Sequence, residues 1–297
     1  MSLHGRRLGA RVQLALQLLP VLSLLALLAA GLGSAVLQSL GVIGPGAAGH
    51  LTLEAYRSVL GDGEFRASLA LTLWVATAST VVATGGGVGL ALLLRRLVRG
   101  RAIARGLLQV PLAVPHLAIA LSLITLAAPS GWLARVAYSL GLVGQPADVP
   151  AVVGDAYGAG IILAYVAKEI PFVAIVATAL LVRTGREFDE VARTLGASPW
   201  RRLWHITLPA IAPGVTAAAL IVFAYVFAAF ETPFLLGRPY PAMLSVVAER
   251  RYLSLELADR PSAVALAVVM TLVAALAVRG YMGLSSSLMG RSRPVPY

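Results

Sequence analysis

Within the apolar runs of this chain, few side chains are charged or could bind a ligand. The sole lysine, Lys168, is followed by Glu169 and then by Pro171 inside one such run. An ionisable residue in an apolar span is costly, so it faces protein or water and is a candidate functional residue. Two interpretations stay open. Either these three residues gate or line a path through the apolar region, or Lys168 and Glu169 pair with another helix or subunit and fix assembly.

Other candidate residues lie in or beside the third and fifth apolar runs. Glu231 either binds a cationic solute or a partner protein, or is an interfacial carboxylate without such a role. Pro111 and Pro115 predict a broken helix, and we expect His116 beside them to be a hydrogen-bonded structural histidine. Four aromatic residues of the fifth run do not share a single helical face: Phe223, Tyr225, Phe227 and Phe230. We expect most of them to pack against other side chains. One or two, with Tyr225 among the candidates, are expected to narrow a path.

Several kinds of catalytic site are missing from the sequence. A P-loop needs a lysine after its glycines, and Lys168 follows no such glycines. The chain has no cysteine, its four histidines lack metal-ligand spacing, and no Gly-x-Ser-x-Gly nucleophile is present. We therefore predict a non-catalytic chain that binds no cofactor or metal. Any catalysis must come from another polypeptide.

Composition indicates a membrane protein. Hydrophobic residues make up 59% and charged residues 12% of the 297 residues, with a mean hydropathy of +0.85, whereas soluble domains carry about 25% charged residues. The formal net charge is +11, but 23 of the 24 basic residues are arginines clustered between apolar runs. Such clusters are orientation signals rather than a nucleic-acid footprint. We expect contact with membrane lipid and none with nucleic acid.

Six runs are long enough to cross a hydrocarbon core, which takes about 20 residues. They lie near 12–37, 68–94, 106–128, 153–182, 207–230 and 262–283. Sixteen arginines fall in the two terminal segments and the loops 95–105 and 183–205, against seven in the other loops. The positive-inside rule therefore places both termini and the loop 183–205 in the cytoplasm. The first run is expected to be a retained anchor, with a cleaved signal peptide as the alternative.

The cytoplasmic segment 184–208 carries signals for a helix, a break and a second helix. Thr184 and Glu187 have the spacing of a capping box. Asp189 and Glu190 add negative charge, which suits a helix N-terminus. These signals predict that the first helix begins directly after the fourth span.

The break is predicted at Gly196. A glycine there suits the left-handed residue that ends a helix, and Ser198 can cap the next helix with Pro199 in its first position. Ala192 and Gly196 are four residues apart, so they share a face with almost no side chain. Another surface could therefore approach the backbone closely at this face.

The full spacing is Glu-x-Ala-x3-Gly-x9-Ile-x-Leu-Pro between the fourth and fifth spans. It resembles the cytoplasmic coupling loop of ABC-transporter permease subunits, with Val191 where alanine is commonest. The resemblance implies that Glu190, Ala192 and Gly196 form the core that docks into a cleft on a separate ATPase. It also implies that Ile206, Leu208 and Pro209 complete the motif, with Leu208-Pro209 setting the turn into the fifth span.

The similarity extends from about residue 50 to 283. It favours the permeases of the polyamine, ferric iron, thiamine and phosphonate import group, on three stretches that begin at Ser68, Lys168 and Glu231. Sugar permeases usually have an aspartate before the motif glycine, where Leu195 stands; a sugar-type permease is the alternative. The implied partners are ABC ATPase subunits that bind ATP and Mg²⁺, a second permease subunit, homologous or identical, and an extracellular or periplasmic solute-binding protein.

The predicted fold class is an all-α polytopic membrane protein with six transmembrane helices and a cytoplasmic coupling helix. It comprises an N-terminal helix with an extracellular segment (1–67), a permease domain (68–283) that contains the coupling loop 184–209, and a cytoplasmic tail (284–297). The expected location is the cytoplasmic membrane of a prokaryote. A secondary transporter, which would need inverted repeats, and a non-transporting assembly factor are the rival classes.

Overall fold

The computed structural model describes the backbone of residues 3–96, 101–183 and 187–290, and the side chains of 16–95, 106–183, 190–280 and 282–283. The predicted capping pair Thr184 and Glu187, the charge of Asp189 and the end of the tail lie outside these described residues. Every regular element in the described backbone is helical. The α-helices are α1 Leu3–Ser39, α2 Glu54–Gly61, α3 Gly63–Arg96, α4 Arg101–Ala113, α5 His116–Ala127, α6 Trp132–Ser139, α7 Ala159–Arg183, α8 Glu187–Thr194, α9 Pro199–Arg202, α10 Leu208–Ala228, α11 Glu231–Leu236, α12 Leu244–Tyr252 and α13 Arg260–Gly290.

Six helical stretches in the described part of the chain are long and apolar enough to span a membrane, which confirms the predicted number. The third starts ten residues later than predicted, at His116, because the chain breaks at Val114–Pro115 and α4 ends before it. The stretches are Leu16–Ser39, Gly63–Arg95, His116–Ser139, Ala159–Arg183, Pro199–Ala228 and Leu257–Gly280.

The chain forms two compact units, one of residues 1–62 and 248–269 and the other of 63–247 and 270–297. In the first unit, the Ser39 and Tyr56 hydroxyls are 2.7 Å apart, and Arg251 is ion-paired with Asp62. These contacts tie the end of α1 to α2 and the end of α12 to the end of α2. The predicted division at residues 67 and 283 stays a prediction.

The core of the second unit is built on α3, α7 and α10, which pack against one another. Two glycines of α3 pack closely against α7. A Cβ added at Gly87 would lie 2.6 Å from the Cβ of Val173, and one at Gly86 would lie 2.8 Å from Cδ1 of Ile170. Small residues that let helix backbones approach are the ordinary basis of packing in membranes. The glycine-rich run of α3 is therefore a packing surface.

The segment after the coupling motif differs from the prediction. Helix α9 continues through a π-helical turn, Leu203–Thr207, into α10 without a break. Leu208 donates its amide to the Leu203 carbonyl across this wider turn. Pro209 follows this π turn directly, near the start of α10. Leu208-Pro209 therefore sets no turn. It lies inside one helical stretch from 199 to 228.

The three prolines singled out from the sequence have different effects on their helices. Helix α7 runs unbroken from Ala159 to Arg183 with Pro171 buried inside it. By contrast, α4 ends at Ala113 and α5 begins after Pro115, which confirms the predicted break. Pro111 lies within α4 and does not end it. The break between α4 and the third span is therefore due to Pro115.

Candidate functional site

The coupling segment is mounted on the ends of the three core helices. The end of α3, the end of α7 and the start of α10 meet in a small apolar cluster, against which Leu208 packs: Ala91, Ala177, Leu181, Ile211 and Val215. Helix α8 in turn contacts α9 and the π turn. If α8 and α9 moved together, the movement would therefore reach the packed ends of α3, α7 and α10 directly.

Helix α8 ends in a Schellman motif at Gly196. The Gly196 amide donates to the Arg193 carbonyl at 3.0 Å, and the Ala197 amide donates to the Ala192 carbonyl at 2.9 Å. Gly196 has φ of +78°, a conformation that costs other residues strain. This confirms the predicted left-handed end of the first helix.

The next helix is capped as its sequence predicts. The Ser198 hydroxyl accepts from the Arg201 amide at 3.3 Å, and Pro199 occupies the first helical turn. Satisfying an amide at the start of a helix stabilises it by about 1 kcal/mol. The two caps place α8 and α9 on either side of a four-residue connection, 195–198.

The face around Gly196 is open. A Cβ built on Gly196 meets no atom within 4 Å, and Glu190, Val191 and Leu195 are exposed, Leu195 to 81%. A cavity of about 710 Å³ opens between the end of α3, α8 and α9, lined by Glu190 together with three arginines: Arg95, Arg193 and Arg202. A surface with small residues, exposed apolar side chains and one acid is suited to receive another protein.

The other predicted motif residues differ in exposure. Ala192 is half-buried in α8, Ile206 is half-buried in the π turn, and Pro209 is exposed. Sequence reasoning did not single out Trp200 and Trp204, whose exposed rings stack edge to face with centroids 5.5 Å apart. Their spacing of four residues along one helix was the available signal.

A second cluster lies inside the span region, around the break between α4 and α5. Lys168 on α7 donates from Nζ to the Val114 carbonyl. That carbonyl is at the end of α4, where an orphan acceptor and the helix dipole both favour a cation. The predicted pairing of Lys168 with another helix is thus made to a backbone carbonyl rather than to an acid.

Glu169 faces the other side of the break. Its Oε1 lies 3.4 Å from Nε2 of His116, and Nδ1 of His116 lies 3.0 Å from the Tyr225 hydroxyl. The ring of Tyr165 packs edge to face against that of Tyr225, with centroids 6.2 Å apart. The sequence predicted a hydrogen-bonded His116 but did not connect it to Glu169 or Tyr225.

Two other residues were predicted for the path, Glu231 and Pro171. Glu231 is exposed in the first turn of α11, where its charge suits the helix N-terminus. Pro171 is buried within α7, two residues beyond Glu169. Among the described side chains, no group of three His, Asp or Glu residues is placed to hold a metal ion.

Residues 83–290 match the family described as "Binding-protein-dependent transport system inner membrane component". The chain is 29% identical over 216 residues to the molybdenum transport system permease protein ModB of Mycobacterium bovis, covering 72% of this chain and 77% of that protein. It is also 29% identical over 175 residues to the sulfate transport system permease protein CysW of Synechocystis, covering 58% of this chain and 59% of CysW.

A solved structure shares the fold. A chain of a bacterial ABC transporter involved in import of the acidic polysaccharide alginate superposes with a TM-score of 0.77 at 20% identity, covering 95% of this chain and 99% of that one. The matched residues 83–290 contain both the capped segment at Gly196 and the cluster at His116. The chain therefore belongs to the family of binding-protein-dependent inner membrane components, the permease subunits of ABC importers.

Proposed function

We propose that this chain forms half of a translocation pathway for a small polar or charged solute and couples it to a separate ATPase through 190–209. The observation that carries the coupling is the open, capped face at Gly196, since it rests on the packed ends of α3, α7 and α10. Glu190, Ala192 and Gly196 form the docking core. Closure of the ATPase moves this face, and α7 and α10 carry the movement into the membrane.

The remaining parts of the machine follow from this role. The ATPase subunits hold ATP and Mg²⁺, a second homologous permease completes the pathway, and an extracellular or periplasmic protein delivers the solute. The arginine distribution supports a topology with both termini and α8 in the cytoplasm. In this topology α6 lies at the external end of α7.

The class of solute is the finer part of the proposal. The names of the two relatives, molybdenum and sulfate transport, support a small charged solute. Leu195 before the motif glycine supports the same choice. Lys168, Glu169, Pro171, Tyr225 and Glu231 remain the proposed residues of the path and its gate.

Replacing Gly196 with tryptophan tests the coupling. A matched control is Gly141→Trp, because Gly141 has φ of +69°, open space at its Cβ and the same position after α6. We expect Gly196→Trp to release the ATPase from the detergent-purified complex and Gly141→Trp to retain it, with both variants inserted in the membrane. Full ATPase retention by Gly196→Trp would contradict the proposal.

A further inference from the structure

Two neighbouring residues of α7 hold the two sides of the break in the third span. Lys168 binds the Val114 carbonyl, which precedes Pro115, and Glu169 contacts His116, which follows it. Adjacent residues on a helix point about 100° apart, so one helix can reach both sides only with such a pair. Helix α7 thus fastens the end of α4 and the start of α5 separately.

His116 also reaches the helix on the far side of the coupling segment. Nε2 of His116 lies 3.4 Å from Oε1 of Glu169 and Nδ1 lies 3.0 Å from the Tyr225 hydroxyl, so the two ring nitrogens contact partners on different helices. Glu169 lies on α7, which leads into α8, and Tyr225 lies on α10, which continues from α9 and the π turn. His116 therefore connects the broken span to both helices that flank the coupling segment.

The geometry also gives the distance over which movement would travel. Glu169 is 14 residues from the end of α7 and Tyr225 is 17 residues from the start of α10. At about 1.5 Å per residue these lengths are about 21 Å and about 26 Å. Each length contains a proline, Pro171 in α7 and Pro213 in α10, yet both helices run unbroken, whereas the break at Pro115 lacks a continuous helical backbone. Relative movement of α7 and α10 would therefore be taken up at the break.

We propose that His116 is a positioning residue through which movement of α7 and α10 shifts α5 relative to α4. This proposal rests on the proposed coupling of 190–209 to an ATPase. His116 contacts no reacting group, and its role is to transmit motion. The two contacts of His116 involve different helices: Glu169 ties α5 to α7, and Tyr225 ties α5 to α10.

The absence of cysteine makes a direct test practical. Leu121→Cys places one thiol on the exposed side of α5, in the second turn after His116. The assembled transporter is labelled with a maleimide in the absence of nucleotide and after trapping with ATP and vanadate. We expect trapping to change the labelling rate at position 121 by about fivefold or more, which corresponds to a shift of about 1 kcal/mol in the equilibrium that exposes the thiol.

His116→Phe keeps a ring and loses both hydrogen bonds, so we expect the nucleotide-dependent change to fall below about twofold. Tyr225→Phe removes only the contact with α10, so the nucleotide-dependent change in labelling rate should be intermediate. If His116→Phe does not assemble, Tyr225→Phe is the deciding variant. Tyr138→Phe is the control, since it removes an exposed tyrosine hydroxyl on α6. The proposal would be overturned if His116→Phe or Tyr225→Phe still showed the full nucleotide-dependent change in labelling rate.

Failure of the coupling itself would look different. Two results in the unsubstituted complex separate the two cases. In the first, the ATPase does not stay bound. In the second, the ATPase stays bound and is trapped, but the labelling rate does not change. The first result would count against docking through 190–209. The second would overturn the transmission role of His116 and leave docking intact.

Discussion

Helices α6 and α8 are a natural pair for comparison. Each has eight residues and is followed by a leucine and a left-handed glycine. Their last residues read Arg-Val-Ala-Tyr-Ser-Leu-Gly over 135–141 and Glu-Val-Ala-Arg-Thr-Leu-Gly over 190–196, identical at four of seven positions. Both end in the same Schellman hydrogen bonds, from Leu142 to Ala137 and from Ala197 to Ala192.

The two helices differ in what surrounds this shared backbone. Helix α6 exposes large apolar side chains, including Trp132 and Leu133, and Leu140 and Leu142 directly after it are exposed as well. Helix α8 exposes Glu190 and is followed by the capped α9 and the π turn, which lead into α10. The Val-Ala-x2-Leu-Gly pattern therefore encodes a helix end. The proposed docking function depends on Glu190 and on the elements that follow.

Glu190→Arg makes α8 resemble α6 at the position where they differ most. We expect it to weaken ATPase binding by about 2 kcal/mol or more, because it reverses a charge within a desolvated interface, which corresponds to roughly 30-fold. The measurement is a titration of ATPase subunit against permease in nanodiscs. Arg135→Glu is the reciprocal control and should leave binding unchanged. Equal effects of the two reversals would break the comparison.

The cap of α9 has a smaller expected effect. Ser198→Ala leaves the Arg201 amide without its side-chain acceptor, a loss of about 1 kcal/mol, so ATPase binding should weaken by up to about fivefold. Ser139→Ala on α6 removes a hydroxyl that donates to the Val136 carbonyl and should have no effect on binding. Tighter binding by Ser198→Ala would show that α9 does not present the docking face.

Val191→Ala has the smallest expected effect. Val191 is exposed beside Ala192, and surface substitutions of this kind usually stay within about 0.5 kcal/mol. ATPase binding should change by less than about threefold, as should binding by Val136→Ala on α6. A tenfold loss in the first variant alone would place Val191 in the docking core with Glu190.

The number of spans and the caps of the coupling segment could be predicted from sequence. Long apolar runs give the spans, and Gly196, Ser198 and Pro199 each have one dominant local use, which the structure confirms. These features depend on residues close together in sequence. The π turn before Pro209 could not be predicted, because it depends on how α9 fits against α8 and the core.

The cluster around the break was predicted only in part. The sequence indicated Pro115 as a break and His116 as a hydrogen-bonded residue, but pairing His116 with Glu169 and Tyr225 needs the packing of α5, α7 and α10. Residues 53 and 109 positions apart meet there. A histidine directly after the proline that breaks a span was the available signal.

Cross-linking from Ala192 tests docking most directly. Ala192 and Ala137 are half-buried and stand at the same position before their glycines, so Ala192→Cys and Ala137→Cys are matched in a chain without cysteine. In the purified complex, a short maleimide cross-linker with an amine-reactive second arm should join Ala192→Cys to the ATPase subunit and leave Ala137→Cys unlinked to it. An ATPase cross-link from Ala137→Cys, or none from Ala192→Cys in a complex that retains ATPase, would contradict the account.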